Sequence, residues 1–321
     1  MFSRIVGTGS HLPSRCVSNA DLEKMVDTSD EWIRTRTGIK TRYLLGDDES
    51  NLDLAEGAVR NAMEMAGVGP DEVDLIIVGT TTPEQVFPNM GCLLQQRLDI
   101  HDCPAFSLEA ACTGFVYALS VADMFIKTGG AKCAVVVGSE TLSSIVDWTD
   151  RQTCVLFGDG AGAVVLKPSE EPGILSTHLS ADGKYGDLLY VSSGVSKGFE
   201  GSESNRDYVQ MRGNDVFKVA VRTLGKIAQI ALDHNDMSTD ELTWLVPHQA
   251  NIRIIQAAAK KLSMPMEKVI QTVQDHGNTS AASVPLALDT GVRDGRIKRG
   301  DTLLLEAFGG GFTWGSALIK Y

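Results

Sequence analysis

"VDLIIVGT" (residues 73–80) returns 169 residues later as "LTWLVPHQ" (242–249). Each is a short apolar run of strand type, and each follows an acidic turn, Asp71-Glu72 in one and Asp240-Glu241 in the other. A helical apolar pattern precedes both, over 53–66 and over 215–232. The offset holds elsewhere. Ile5 and Thr8 in "RIVGTGS" fall on Ile174 and Thr177 in "GILSTHLS". "YALSVADMFIKTGGAKCAVVV" (117–137) falls on "LALDTGVRDGRIKRGDTLLLE" (286–306): a helix, a turn and an apolar strand in both. The chain reads as two copies of one α/β unit, 1–170 and 171–321, joined near "KPSEEPG" (167–173). Each copy is expected to supply a mostly parallel sheet with helices on its faces, and the two to pack as a layered sandwich. Active sites in such folds gather at strand ends and helix N-termini, here where the copies meet.

Composition narrows the function. A net charge of −12 argues against non-specific nucleic-acid binding. No apolar run approaches the ~20 residues of a membrane span. "MFSRIVGTGSHLPS" has no signal-peptide core, so a cytoplasmic protein with reduced thiols is expected. The six cysteines (16, 92, 103, 112, 133 and 154) form no CxxC pair, which argues against a zinc site or a disulfide framework. Basic residues nonetheless cluster, as Arg34, Arg36, Lys40 and Arg42, and as Arg253, Lys260 and Lys261 on one helix pattern.

Four stretches carry chemistry. "EAACTGF" (109–115) puts Cys112 among small residues where a strand turns into a helix. A helix N-terminus favours thiolate, so this cysteine is expected to be more acidic than the ordinary ~8.5. The other five cysteines are expected to be structural. "WLVPHQAN" places His248 at a strand end. "DHGNTSAASVP" places Asn278 in a tight turn before a helix, where it could equally serve as an N-cap. "LLLEAFGGGFTWGSALI" ends a strand in Gly309, Gly310 and Gly311, which permit close backbone approach and an oxyanion-binding N–H.

Together, "EAACTGF", "GDGAG" (158–162), "WLVPHQANIRII", "HGNTSAASVP" and "LLEAFGGGFTWGSALI" resemble the signature blocks of the β-ketoacyl-[acyl-carrier-protein] synthase III family, in order along the whole chain. The resemblance implies a thiolase-like fold, two pseudo-repeated α/β units in a five-layered αβαβα sandwich, and a homodimer. It implies a decarboxylating condensation of acetyl-CoA with malonyl-acyl-carrier protein, without metal or redox cofactor. Cys112 would carry the acyl group as a thioester. His248 and Asn278 would hold the enolate oxygen, and the amides of Cys112 and Gly310 the oxyanion. Thr28, Trp32, Arg36, Arg151, Gly213 and Asn251 would bind CoA, with the adenine between Trp32 and Arg151. Gln249, Ala250, Asn251, Ile252 and Arg253, with Lys218, Lys260 and Lys261, would dock the acidic carrier protein. Phe87, Leu142, Phe157 and Leu189 would form the acyl pocket, Phe87 reaching across the dimer.

Other readings fit less well. A degradative thiolase needs a second, late cysteine, and none follows Cys154. An elongating synthase would use a second histidine; His276 is read as structural support. A cysteine protease would not need the duplication or the three glycines. A related condensing enzyme with another acyl-CoA primer stays open, as does a non-catalytic acyl- or CoA-binding scaffold.

Overall fold

The structure is a computed structural model and describes residues 1–197 and 208–321. A five-stranded sheet is ordered Phe2–His11, Asp159–Ser169, Ala134–Thr141, Leu75–Gly79, Ala105–Leu108. A four-stranded sheet is ordered Trp244–Pro247, Thr302–Gly309, Thr313–Lys320, Ile174–Ala181. Strands 169 residues apart take matching places in the two orders, with Leu75–Gly79 answering to Trp244–Pro247 and Phe2–His11 to Ile174–Ala181. The turns repeat as well. Ala111–Thr113 and Ser280–Ala282 are 169 apart, and their first residues share a left-handed backbone, φ 45° at Ala111 and 49° at Ser280.

Alternate residues of each strand face opposite layers. Ile77, Val136 and Val164 of one sheet and Leu303, Leu305 and Ala317 of the other share one core with Phe115 and Leu119 of helix Gly114–Lys127 and with Val284 and Leu288 of helix Ser283–Arg293. These two helices are the middle layer. Helices Asn51–Ala66 and Met90–Arg97 cover the far face of the five-stranded sheet. Helices Gly213–His234 and Ile252–Lys261 cover that of the four-stranded sheet. This is the five-layered arrangement of the thiolase-like fold.

The sheets are not mostly parallel as expected. Asp159–Ser169 runs antiparallel to both its neighbours, and so does Thr313–Lys320. For Thr313–Lys320 the cause lies in the connection. Parallel strands need a long crossover, whereas Gly309 passes to Thr313 through three residues, short enough only for a hairpin. The helix expected from 53 begins at Asn51, because Ser50 and Asp53 form a reciprocal capping box.

Candidate active site

Cys112 lies in the turn Ala111–Thr113, two residues before the helix Gly114–Lys127 begins. The glycine loop of the other half closes on this turn. A Cβ on Gly309 would stand 2.6 Å from the Cys112 nitrogen and 3.0 Å from its Cβ, so only glycine permits the approach. The N–H groups of Cys112 and Gly310 and the Ser280 hydroxyl all face the thiol. They favour thiolate, yet the thiol is pushed up to about 11. The expected acidity is therefore overturned in the free protein. Burial removes the water that would solvate the thiolate, and the negative charge of Glu140 adds to the effect.

His248 follows the strand Trp244–Pro247, its N–H bonded to the Glu306 carbonyl at 2.8 Å. Burial lowers its imidazole to about 3, so it is neutral near pH 7. Its Nδ1 meets the Ser283 Oγ at 2.6 Å. Asn278 packs beside Phe157, bridged through backbone to that segment. Its Oδ1 accepts the Ser280 N–H at 2.9 Å, which orients the amide, and among the described residues its Nδ2 hydrogens have no hydrogen-bond acceptor.

Cys112, His248 and Asn278 line one cavity of about 650 Å³. Expected residues on the same wall are Trp32, Arg36, Phe157, Leu189, Gly213, Ala250, Asn251 and Arg253. Arg36 lies 4.5 Å and Arg151 5.2 Å from the Trp32 ring centre. Asn251 caps the helix Ile252–Lys261 and donates to the Arg36 carbonyl at 3.1 Å. Arg253 is exposed and rests 5.8 Å from the Phe217 ring centre.

Other expectations fall elsewhere. Gln249 cannot dock a partner: it is fully buried. Its amide donates to the carbonyls of Pro247 (2.7 Å) and Ile270 (3.1 Å) and accepts from the N–H groups of Thr272 (2.9 Å) and Val273 (3.1 Å). It braces the His248 strand end. Leu142 is buried in the core beside Phe157, off the cavity wall. Thr28 and Ile252 are half-buried and also off the wall. Lys260 and Lys261 are exposed at the end of their helix, and Lys218 pairs with Asp215 at 3.3 Å. Phe87 is 82% exposed on the chain. His276 lies off the wall, edge-on to Tyr43.

The wall also holds Phe217, Ala220 and Leu224, which sequence reasoning missed. Their signal was the i, i+3, i+7 stripe on one helix. Ser280 and Ser283 were visible only as small residues of a turn.

The family model described as 3-oxoacyl-[acyl-carrier-protein (ACP)] synthase III matches residues 106–183, and its C-terminal counterpart matches 232–321. The chain is 63% identical over 320 residues to the β-ketoacyl-[acyl-carrier-protein] synthase III of Thioalkalivibrio sulfidiphilus, covering 100% of this chain and 99% of that one. It superposes on the 3-oxoacyl-[acyl-carrier-protein] synthase III of Aquifex aeolicus with a TM-score of 0.94 at 47% identity, covering 99% and 100% of the two chains. The priming β-ketosynthase of the R1128 polyketide pathway superposes with a TM-score of 0.95 at 38% identity, covering 99% and 96%. On these matches, the chain belongs to the β-ketoacyl-[acyl-carrier-protein] synthase III family of acyltransferases.

Proposed function

We propose that this cavity performs the family's condensation through an acyl-Cys112 intermediate. The chain is an acyltransferase of fatty acid biosynthesis that joins acetyl-CoA to malonyl-acyl-carrier protein, releasing CoA and carbon dioxide. Both substrates arrive as thioesters, and the reaction takes no cofactor. In this reading, Cys112 attacks acetyl-CoA, and the N–H groups of Cys112 and Gly310 hold the oxyanion. Malonyl-carrier protein then loses carbon dioxide, and the enolate carbon attacks the acetyl-cysteine. Neutral His248 and the Asn278 Nδ2 donate to the enolate oxygen.

The observation that carries the reading is the convergence of Cys112, His248 and Asn278 on one cavity that also holds Trp32, Arg36 and Arg253. CoA suits that wall. Trp32 offers an aromatic face, and an adenine stacked on it would displace one of the two guanidiniums resting there. Arg36, Arg151, Gly213 and Asn251 complete this proposed site, with Thr28 behind it. Arg253, Lys260 and Lys261 offer exposed positive charge to an acidic carrier protein. Phe157 and Leu189 would contact the acyl chain. A homodimer in which Phe87 completes the partner's pocket suits the exposure of that side chain. We also read the duplication as two halves, 1–170 and 171–321. Among the described residues no helix is long and apolar enough to cross a membrane, and we take the cytoplasm as the compartment.

Incubation with acetyl-CoA followed by peptide mapping should find one acetyl group, on Cys112. Acetylation elsewhere defeats the mechanism, and none at all revives the binding-scaffold reading. Repeating the mapping with longer and branched acyl-CoAs tests the second reading, a different primer.

A further inference from the structure

We propose that the Cys112 thiol passes its proton through the Ser280 hydroxyl to Glu140, so that one negative charge is shared between a carboxylate and a thiolate. This rests on the acyl-Cys112 reading above. Glu140 lies on the strand Ala134–Thr141 and is fully buried. Its Oε1 accepts the Ser280 hydroxyl at 3.0 Å. Its Oε2 accepts the Thr82 hydroxyl at 2.6 Å and the N–H groups of Thr81 at 3.1 Å and Thr82 at 3.2 Å. While the hydroxyl proton of Ser280 points to Glu140, its lone pairs can take the thiol proton; once Glu140 is protonated, the same hydroxyl donates to the thiolate and favours it. The link from Ser280 to the carboxylate is thus a buried hydrogen bond, and the Cys112 thiol faces its serine end.

Ser280 does not reach this place by accident of a relaxed turn. It holds a left-handed backbone, φ 49°, and stands 169 residues after Ala111, the residue beside the nucleophile with the same conformation. Non-glycine residues persist there only when surrounding structure holds them. The turn of one half thereby aims a hydroxyl at the sulfur of the other.

The electrostatics agree. Burial lifts Glu140 above the ordinary carboxylate range, which makes it a better proton acceptor. Its charge is one reason the thiol is hard to ionise, and protonating it removes that repulsion. The threonine loop 80–82, the strand Ala134–Thr141 and the turn Ser280–Ala282 bring it no lysine, arginine or second carboxylate. The titratable group it acts on is Cys112, whose cavity wall also holds neutral His248.

The step balances. Sγ forms a bond to the acyl carbon as its proton moves to Ser280 Oγ, and the Ser280 proton moves to Glu140. The bond from the acyl carbon to the CoA sulfur breaks. The CoA thiolate then takes a proton back through Ser280, and Glu140 is again a carboxylate.

The test is the pH dependence of single-turnover acetyl transfer from acetyl-CoA, read as mass on Cys112 between about pH 6 and 8. A thiolate paired with protonated Glu140 has a population that does not change with pH in this window. The native protein should therefore give a flat profile. Ser280→Ala and Glu140→Gln should each give a rate that climbs about tenfold per pH unit, as for an unassisted thiol. Carbon dioxide release by each pre-acetylated variant should stay within about twofold of native, which separates a proton path from a general loss of the site. A native profile as steep as the variants', or a flat profile in Ser280→Ala, overturns the relay while leaving acetyl-Cys112 intact. Absence of any adduct on Cys112 overturns the acyl-enzyme reading and the relay with it.

Discussion

Ser283 decides which nitrogen of His248 carries the proton. Its oxygen receives the Gln249 N–H at 3.3 Å, and its hydroxyl proton has Nδ1, 2.6 Å away, as its acceptor among the described residues. Nδ1 is then unprotonated, and the hydrogen sits on Nε2, where it can be donated to a developing enolate oxygen. Ser283→Ala should slow carbon dioxide release about tenfold or more, as loss of an orienting partner does elsewhere, and spare acetyl transfer. Measuring the half-reactions separately checks this, and an equal loss in both would mean that Ser283 only supports the turn. His248 itself, lowered to about 3 by burial, stays neutral through the working range. Carbon dioxide release by the acetylated enzyme should therefore show no inflection near the ordinary histidine value of ~6.5. An inflection there would mean that the imidazolium acts.

At the scale of elements, the strand Thr302–Gly309 carries a cost as well as the glycine loop. Glu306 is fully buried, and neither carboxylate oxygen has a partner among the described residues. Burial raises it to about 8. The folded protein then binds one proton more than the unfolded chain between the ordinary ~4.3 and that value. Stability should fall as pH rises through this window, by at most ~1.4 kcal/mol per pH unit from this group. Glu306→Gln cannot ionise and should flatten the fall in Tm; thermal melts across the window check it, and parallel slopes would contradict it. The helix Ile252–Lys261 makes a separate prediction. Arg253→Glu should raise the KM for malonyl-carrier protein severalfold and leave acetyl transfer unchanged. Added salt should imitate the change, because exposed charges are screened beyond ~8 Å at physiological ionic strength. Kinetics on both substrates over a salt series decide it, and a loss shared by both would leave Arg253 as a CoA contact.

At the scale of the whole molecule, two halves lock through their central layer. A Cβ on Gly138, in the strand Ala134–Thr141, would stand 2.3 Å from the Ala281 carbonyl, so the nucleophile's half and the Asn278 half meet backbone to backbone. The exposed pair Val86 (47%) and Phe87 (82%) is expected to be covered by a second copy. Sedimentation should give about twice the chain mass of 34.5 kDa, and Phe87→Asp should shift it toward one chain. A native protein sedimenting as one chain would remove Phe87 from the proposed acyl pocket.

The duplication, the family and the convergence of Cys112, His248 and Asn278 were legible in the sequence. They rest on local signals: turn residues, apolar periodicity and motifs whose spacing survives in one dimension. Strand direction was not legible, because it depends on the length and path of each connection. Nor was the burial of Gln249, which sits in a motif of otherwise accessible residues yet is enclosed by Ile270, Thr272 and Val273 from a later segment. The charge state of Cys112 was decided by tertiary structure alone. A helix N-terminus can be read from neighbours in the chain and argues for thiolate. Desolvation and the Glu140 charge come from residues distant in sequence, and in this cavity they outweigh it.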